Sequence, residues 1–328
     1  MRKHLLAIAV ILTVATGCDN VAWGGIDVEL KPPPPSSRTA VDADEPAGVV
    51  GPVNVAGPIL LAGTRTGARA DFVIVGEVHP GVLREFPHPA FPDDTTRLEE
   101  VTAPGSEWIL FSEGVRVGRM VADAVRPAEG FCGARTVLSG FVELVPTASG
   151  AERLLALPAE SSAQHPYGNY AAIAHDYDQR VATLAVANRA IPANGAAWPP
   201  LGVLDARDHI QAFQLIGSQG RSVAATFLHQ DELTVASPRQ GAYSLFLMSQ
   251  QVGASYEEGY VWYRSVESEG KGAPRYFDHL DWDGNGSDDI LLDVFGPNRR
   301  WFAVLSQRDG SWARTFEDPC GSGSATGG

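Results

Sequence analysis

Along most of this chain, apolar residues come in short runs bounded by glycine and proline. Phe72-Val73-Ile74-Val75, Trp108-Ile109-Leu110-Phe111, Val137-Leu138, Phe141-Val142-Glu143-Leu144 and Leu154-Leu155-Ala156-Leu157 are runs of this kind between residues 57 and 160. Their length suits strands, and the turn residues beside them end each one. Gly114-Val115-Arg116-Val117-Gly118 reads as a turn or an irregular strand. One stretch has another period. Tyr170, Ile173, Ala174, Tyr177, Val181, Leu184 and Ala185 make an apolar stripe at helical spacing, with Asp176, Asp178, Gln179 and Arg180 mostly opposite. This predicts an amphipathic helix over 170–189, capped by Asn169 and stopped by Pro192. After Pro200 the strand pattern returns.

The later strands carry an internal similarity. Leu245-Phe246-Leu247-Met248-Ser249-Gln250-Gln251-Val252-Gly253 lines up with Phe302-Ala303-Val304-Leu305-Ser306-Gln307-Arg308-Asp309-Gly310. Upstream, Gly217-Ser218-Gln219-Gly220-Arg221-Ser222-Val223-Ala224-Ala225 lines up with Asp283-Gly284-Asn285-Gly286-Ser287-Asp288-Asp289-Ile290-Leu291. The slack between the two alignments is taken up around Asp231 to Gly241. Each unit reads as a turn loop, an apolar strand, a connection, a second strand and a glycine turn. The alternative is chance likeness between two amphipathic hairpins.

Composition agrees with a turn-rich fold. The 328 residues include 35 Gly and 23 Pro, and 44% hydrophobic residues supply a core. The expected fold class is mainly β with one amphipathic helix. A formal charge of −14 argues against nucleic acid and anionic lipid headgroups as partners and favours cations.

The amino terminus differs from everything after it. Met1-Arg2-Lys3-His4 is basic, residues 5–15 are apolar, and Ala15-Thr16-Gly17-Cys18 follows. The apolar run is shorter than the ~20 residues a membrane helix needs, so it reads as an export signal. With a cysteine at the cleavage point it resembles a bacterial lipoprotein signal, with Ala in place of the usual Leu at the first lipobox position. The resemblance implies cleavage before Cys18, acylation of that cysteine, and a body held in the cell envelope by a lipid anchor. An ordinary secretory signal is the alternative. Asp19 resembles the inner-membrane retention signal of enteric bacteria, a rule that differs between bacteria.

These features divide the chain into a signal (1–17), an acylated cysteine with a tether (18–54), an N-terminal β region (55–160), a helix with a second β region (161–320) and a flexible tail (321–328). Lys31-Pro32-Pro33-Pro34-Pro35-Ser36-Ser37 in the tether should be stiff polyproline II. Ile26-Asp27-Val28-Glu29-Leu30 could pair as an edge strand. With Cys18 acylated, Cys132 and Cys320 remain, and an even pair in an exported protein suggests a disulfide. Two free thiols are the alternative.

Asp281-Trp282-Asp283-Gly284-Asn285-Gly286-Ser287-Asp288-Asp289 is the sharpest motif. Asp281, Asp283, Asn285 and Asp289 can offer side-chain oxygens and Ser287 its carbonyl, which suits a hard cation such as calcium. Gly286 permits the sharp turn. An EF-hand would carry Glu where this chain has Leu292. The loop and the apolar strand after it instead resemble the calcium loops of FG-GAP or VCBS repeats of integrin-type β-propellers. The resemblance covers 276–317 well and 210–260 weakly. It implies a C-terminal FG-GAP/VCBS-like region of β-hairpin repeats with a structural calcium. The upstream copy has Leu215, Gly217, Gln219 and Val223 at the ligand positions and should bind no metal. Two units fall short of the four blades that a closed propeller needs. An acidic turn held by Asx-type hydrogen bonds is the alternative reading of the loop.

Other chemical signals are weak. Ser268-Glu269-Gly270-Lys271 lacks the partner motifs of penicillin-binding enzymes. His175-Asp176-Tyr177-Asp178 and Asp205-Ala206-Arg207-Asp208-His209 are isolated acid and histidine groups. Tyr260-Val261-Trp262-Tyr263 reads as strand core, or else as a sugar or peptide platform. No Gly-x-Ser-x-Gly, His-Glu-x-x-His or phosphate-binding glycine loop is present. The expectation is therefore a lipid-anchored, calcium-stabilised binding or structural module that meets an envelope protein or glycan, rather than an enzyme. The alternative is an envelope hydrolase with an active site of scattered Asp, His and Glu.

Overall fold

Strands in the first half read as unbroken apolar runs where both faces are buried. They are β1 (Ile59–Thr66), β2 (Arg69–His79), β3 (Val82–Arg84), β4 (Glu107–Ser112), β5 (Val115–Ala128), β6 (Arg135–Leu144) and β7 (Arg153–Pro158). All pair antiparallel in the order β1-β7-β4-β5-β6-β2-β3, and β1 also pairs with β2. That last pairing closes a six-stranded barrel and leaves β3 as an appendage. Alternate residues such as Leu61, Phe72, Trp108, Leu110, Met120 and Leu154 fill one cluster inside it. A helix that the apolar pattern does not reveal, α1 (Asp93–Val101), adds Leu98 and Val101 to that cluster. The structure, a computed structural model, describes residues 56–88, 90–91, 93–161 and 168–321. Cys18, the tether with residues 26–30, and the tail beyond Gly321 lie outside the described residues.

The second half begins with α2 (Tyr177–Ala193) and α3 (Val203–Ala206). The helix expected over 170–189 therefore starts later than its apolar stripe suggests. Asp176, not Asn169, is the cap: its side chain accepts the Gln179 N–H, and the Gln179 side chain accepts the Asp176 N–H, a reciprocal capping box. The buried face consists of Gln179, Thr183, Val186, Ala187, Ala190 and Ile191. Tyr177 and Val181, expected on the apolar stripe, are 69% and 44% exposed. Pro192 stands in the last turn, as a stop should.

Two four-stranded antiparallel meanders follow. The first runs β8 (Arg207–Phe213), β9 (Ser222–His229), β10 (Tyr243–Val252) and β11 (Ser255–Ser265). After the short α4 (Val266–Glu269), the second runs β12 (Ala273–Leu280), β13 (Asp289–Phe295), β14 (Arg300–Arg308) and β15 (Ser311–Glu317). The segments that align in sequence fall on the second and third strands of each meander. The layers are ordered by their contacts. Helices α2 and α3 pack on one face of the first meander through Val186, Ile191, Phe227 and Leu245. Its other face meets the second meander through Phe213, Met248, Tyr276 and Trp301. Trp262 is buried in this same layer, so the 260–263 stretch is core and not a platform. The far face of the second meander packs on the barrel through Phe277, Leu291, Phe302, Leu60 and Val75. The described residues belong to one compact unit.

Two polar ties fasten this stack. Cys132 and Cys320 form a disulfide across 188 residues, with Cα atoms 5.9 Å apart. Beside it, buried Arg135 pairs with Asp318 and donates to the carbonyls of Ile74, Val75 and Cys132, while Asp318 accepts the Phe302 N–H. At the other tie, the buried Glu77 carboxylate pairs with Arg84 and Arg97, meets His79 Nε2 at 3.0 Å and accepts the Gly57 N–H at 2.8 Å. Burial alone would raise its pKa, but the hydrogen bonds from Arg84, Arg97 and His79 outweigh that and hold it at about 2.

Candidate functional site

The aspartate loop joins β12 to β13. Gly284 and Gly286 take φ of 72° and 89°, which places both in the glycine-favoured region and supplies the sharp turn. The loop turns its oxygen side chains onto its own backbone. Asp281 accepts the N–H groups of Asn285 and Gly286 at 2.9 Å each, and Asn285 accepts from Ser287 at 2.8 Å. Asp283 accepts from Asn285 at 3.1 Å through one oxygen. Through its other oxygen it accepts the Gly81 N–H at 2.6 Å, which ties the loop to the β2–β3 turn of the barrel. Arg308 donates to the carbonyl of the same Gly81.

Asp289 begins β13 and is buried. Desolvation, with Asp283, Asp281 and Asp288 nearby, raises its pKa to about 7 even though Ser306 bonds to it. Asp281, Asp283, Asn285 and Asp289 thus lie on one short loop and strand start, as expected. Ser287 adds a backbone carbonyl. Among the described residues, no three His, Cys, Asp or Glu side chains are gathered closely enough to hold a metal as they stand. The donor set nevertheless suits a hard cation. An ionised carboxylate has about four lone-pair sites, so an oxygen that accepts one N–H keeps capacity for a metal.

Sequence reasoning missed the groups that gather beside this loop. Glu113 sits at the β4–β5 turn with φ of 51°, followed by Gly114 at 72°. Its N–H donates to Asp278 Oδ1 at 3.0 Å, which links the barrel to β12. A Cβ on Gly114 would lie 2.8 Å from His279 Nε2, so only glycine fits against that ring. His279 is buried between the Tyr276 hydroxyl at 2.7 Å and the Gln214 carbonyl at 3.0 Å. Asp288 Oδ2 accepts the Ile216 N–H at 2.6 Å, so the 214–221 loop of the first meander touches its counterpart in the second.

Burial governs the titration of this group. Desolvation lifts Glu113 to about 7 against the pull of Arg153, and lifts Asp278 well above the carboxylate range with help from Glu113. It holds His279 down at about 4 and His209 at about 3. Glu113, Arg116, Gln214, Asp281 and Asp288 share a pocket of ≈ 390 Å³ with the apolar Phe111, Val115, Ile216 and Leu280. No sequence signal marks Glu113, because it meets Asp278 only through the barrel's packing on the second meander.

No protein-family model matches the chain, no curated protein matches it, and no solved structure matches it.

Proposed function

We propose that this chain is a lipid-anchored module of the bacterial cell envelope whose β body is fastened by calcium at Asp281, Asp283, Asn285, Ser287 and Asp289, and which binds an envelope protein or glycan. The observation that carries this reading is the place of Asp283. One residue belongs to the oxygen-rich loop and also holds the barrel through Gly81, so a cation that fixed the loop would stiffen the joint between barrel and meanders. The FG-GAP/VCBS-like spacing, the signal-like start with Cys18, and the excess of acidic side chains support it. Calcium would supply positive charge to a loop rich in carboxylates; the protein's part is to present oxygens and exclude water from Asp289.

The test is thermal unfolding of the full chain carrying Cys18→Ser, with calcium and then with EDTA. A ligand at 100 times its dissociation constant adds ~2.7 kcal/mol to the native state, which at this size raises the midpoint by roughly 4–5 °C. Asp283→Ala should abolish the rise. An unchanged midpoint together with no heat of calcium binding would sink the cation reading.

A hydrolase is the second reading, favoured by one observation: Glu113, Asp278 and His279 are brought together beside a pocket, with two carboxyls whose pKa values are raised. Glu113→Gln separates the readings. Under the binding-module reading it leaves calcium stabilisation in place and removes no turnover of glycoside, ester or peptide substrates. Turnover that this substitution abolishes would favour the hydrolase.

A further inference from the structure

The two meanders share one strand order, but the connections between their second and third strands differ. In the second meander, residues 296–299 join β13 to β14 directly. In the first, residues 230–242 leave β9 and return to β10 as a long loop. An insertion on a repeated scaffold is where binding surfaces are commonly placed, because the scaffold folds without it.

This loop is held in one shape. Lys271, which precedes β12, reaches into it with its side chain only 1% exposed. Its ammonium pairs with Asp231 at 2.6 Å, also 1% exposed, and donates to the carbonyls of Glu232 at 3.1 Å and Thr234 at 2.8 Å. All three ammonium hydrogens are therefore used within the protein. Gln230 turns the chain with φ of 57°, and its carbonyl accepts the Arg239 N–H at 3.0 Å, closing the base of the loop. Leu233 packs on Leu228 and Phe295. A buried lysine is costly unless paired, so this arrangement favours one fixed loop shape, and a pre-shaped loop binds without an ordering cost.

The fixed loop forms one wall of a pocket of ≈ 440 Å³, within the usual range for small-ligand sites. Asp205, His229, Gln230, Glu232, Ser237 and Arg239 line it with polar groups. Pro199, Pro200 and Pro238 add rigid apolar surface. Trp198, next to Pro199 in the chain, is 52% exposed. Since Lys271 and Asp231 answer each other, the charges left are the carboxylates of Asp205 and Glu232 and the guanidinium of Arg239. A phosphate would face two carboxylates, and an ammonium would face the arginine. A hydroxyl donates and accepts at once, so a neutral polyol can satisfy both kinds of group, and its C–H faces can lie on the prolines.

We propose that the pocket between residues 199–206 and the 230–242 loop binds a neutral saccharide. The assignment names a ligand class for the binding-module reading. It stands apart from the calcium loop, so a failed calcium titration and a failed sugar titration are separate results. The test titrates the Cys18→Ser chain with glucose, galactose, mannose, N-acetylglucosamine, maltose and diacetylchitobiose, followed by saturation-transfer NMR and calorimetry. At least one sugar should bind saturably. Arg239→Ala should weaken that binding by roughly tenfold or more, the scale of a lost charge-assisted hydrogen bond, and Ser237→Trp should block it. Both side chains are exposed, so unchanged thermal midpoints will show that both variants are folded. No saturable binding by any of the six sugars overturns the assignment. So does binding that both variants leave unchanged, or displacement of the sugar by inorganic phosphate or ethanolamine at equal concentration.

Discussion

Replacing Glu77 with alanine should destabilise the protein by ~3–5 kcal/mol, the usual cost of removing one partner from a buried ionic group. The carboxylate joins three parts of the barrel: β2, which carries it, the Arg84 end of β3, and Arg97 on α1. It also accepts the N–H of Gly57, just before β1. Truncation strands Arg97 with the more distant Asp94, 3.6 Å away, and leaves Arg84 with that same aspartate. Acid should act through the same residue. Its folded-state pKa, about 2, lies below the ordinary 4.5. Its contribution to stability is therefore complete above about pH 4.5 and disappears as the pH falls towards 2. Urea unfolding between pH 2 and 7 should show this slope in the natural chain and a shallower one in Glu77→Gln. Equal slopes would mean that other carboxylates govern the acid limb.

Reducing the Cys132–Cys320 disulfide should be comparably damaging. Loss of a bridge that closes a long loop costs ~2–5 kcal/mol, and at this size the thermal midpoint should fall by roughly 3–9 °C. Arg135 and Asp318 lie beside the bridge, and Asp318 holds the Phe302 N–H of β14. Reduction should therefore loosen the seam between barrel and second meander before it opens the barrel interior. Hydrogen exchange after mild reduction would show early loss of protection at Phe302 and Arg135. Uniform loss across β1 to β7 would contradict that order.

Much of the architecture was legible because its strands are buried on both faces. Phe72 to Val75, Trp108 to Phe111 and Leu154 to Leu157 had to be apolar throughout, and such runs stand out. β5 did not, because its outward positions carry Arg119, Asp123 and Arg126 in exposed ion pairs with Glu143 of β6 and with Asp71 and Arg69 of β2. Helix α1 has little apolar surface beyond Leu98 and Val101, so its period is faint. For α2 the helix was legible but not its buried face: Tyr177 and Val181 of the stripe are exposed, and Val186, Ala187, Ala190 and Ile191 pack on the first meander instead. Barrel closure rests on the pairing of β1 with β2 and β7 at once, which no local pattern encodes. The aspartate loop was legible because its acidic and amide side chains are neighbours in the chain. Glu113 and Asp278, 165 residues apart, were not. The connection after β9 was visible only as slack between two aligned segments, and its meaning came from Lys271, a residue outside it.

If the chain is exported as proposed, the disulfide also bears on how it reaches its native form. Three cysteines allow three pairings, and only one is native. Cys320 follows Cys132 by 188 residues, so during the proposed export Cys132 would emerge long before its partner, and Cys18 would be the first thiol it could meet. If Cys18 is acylated as proposed, its thiol is already consumed as a thioether. Lipidation would then do more than anchor the protein: it would remove the competing thiol, so that when Cys320 arrives Cys132 has a single correct partner.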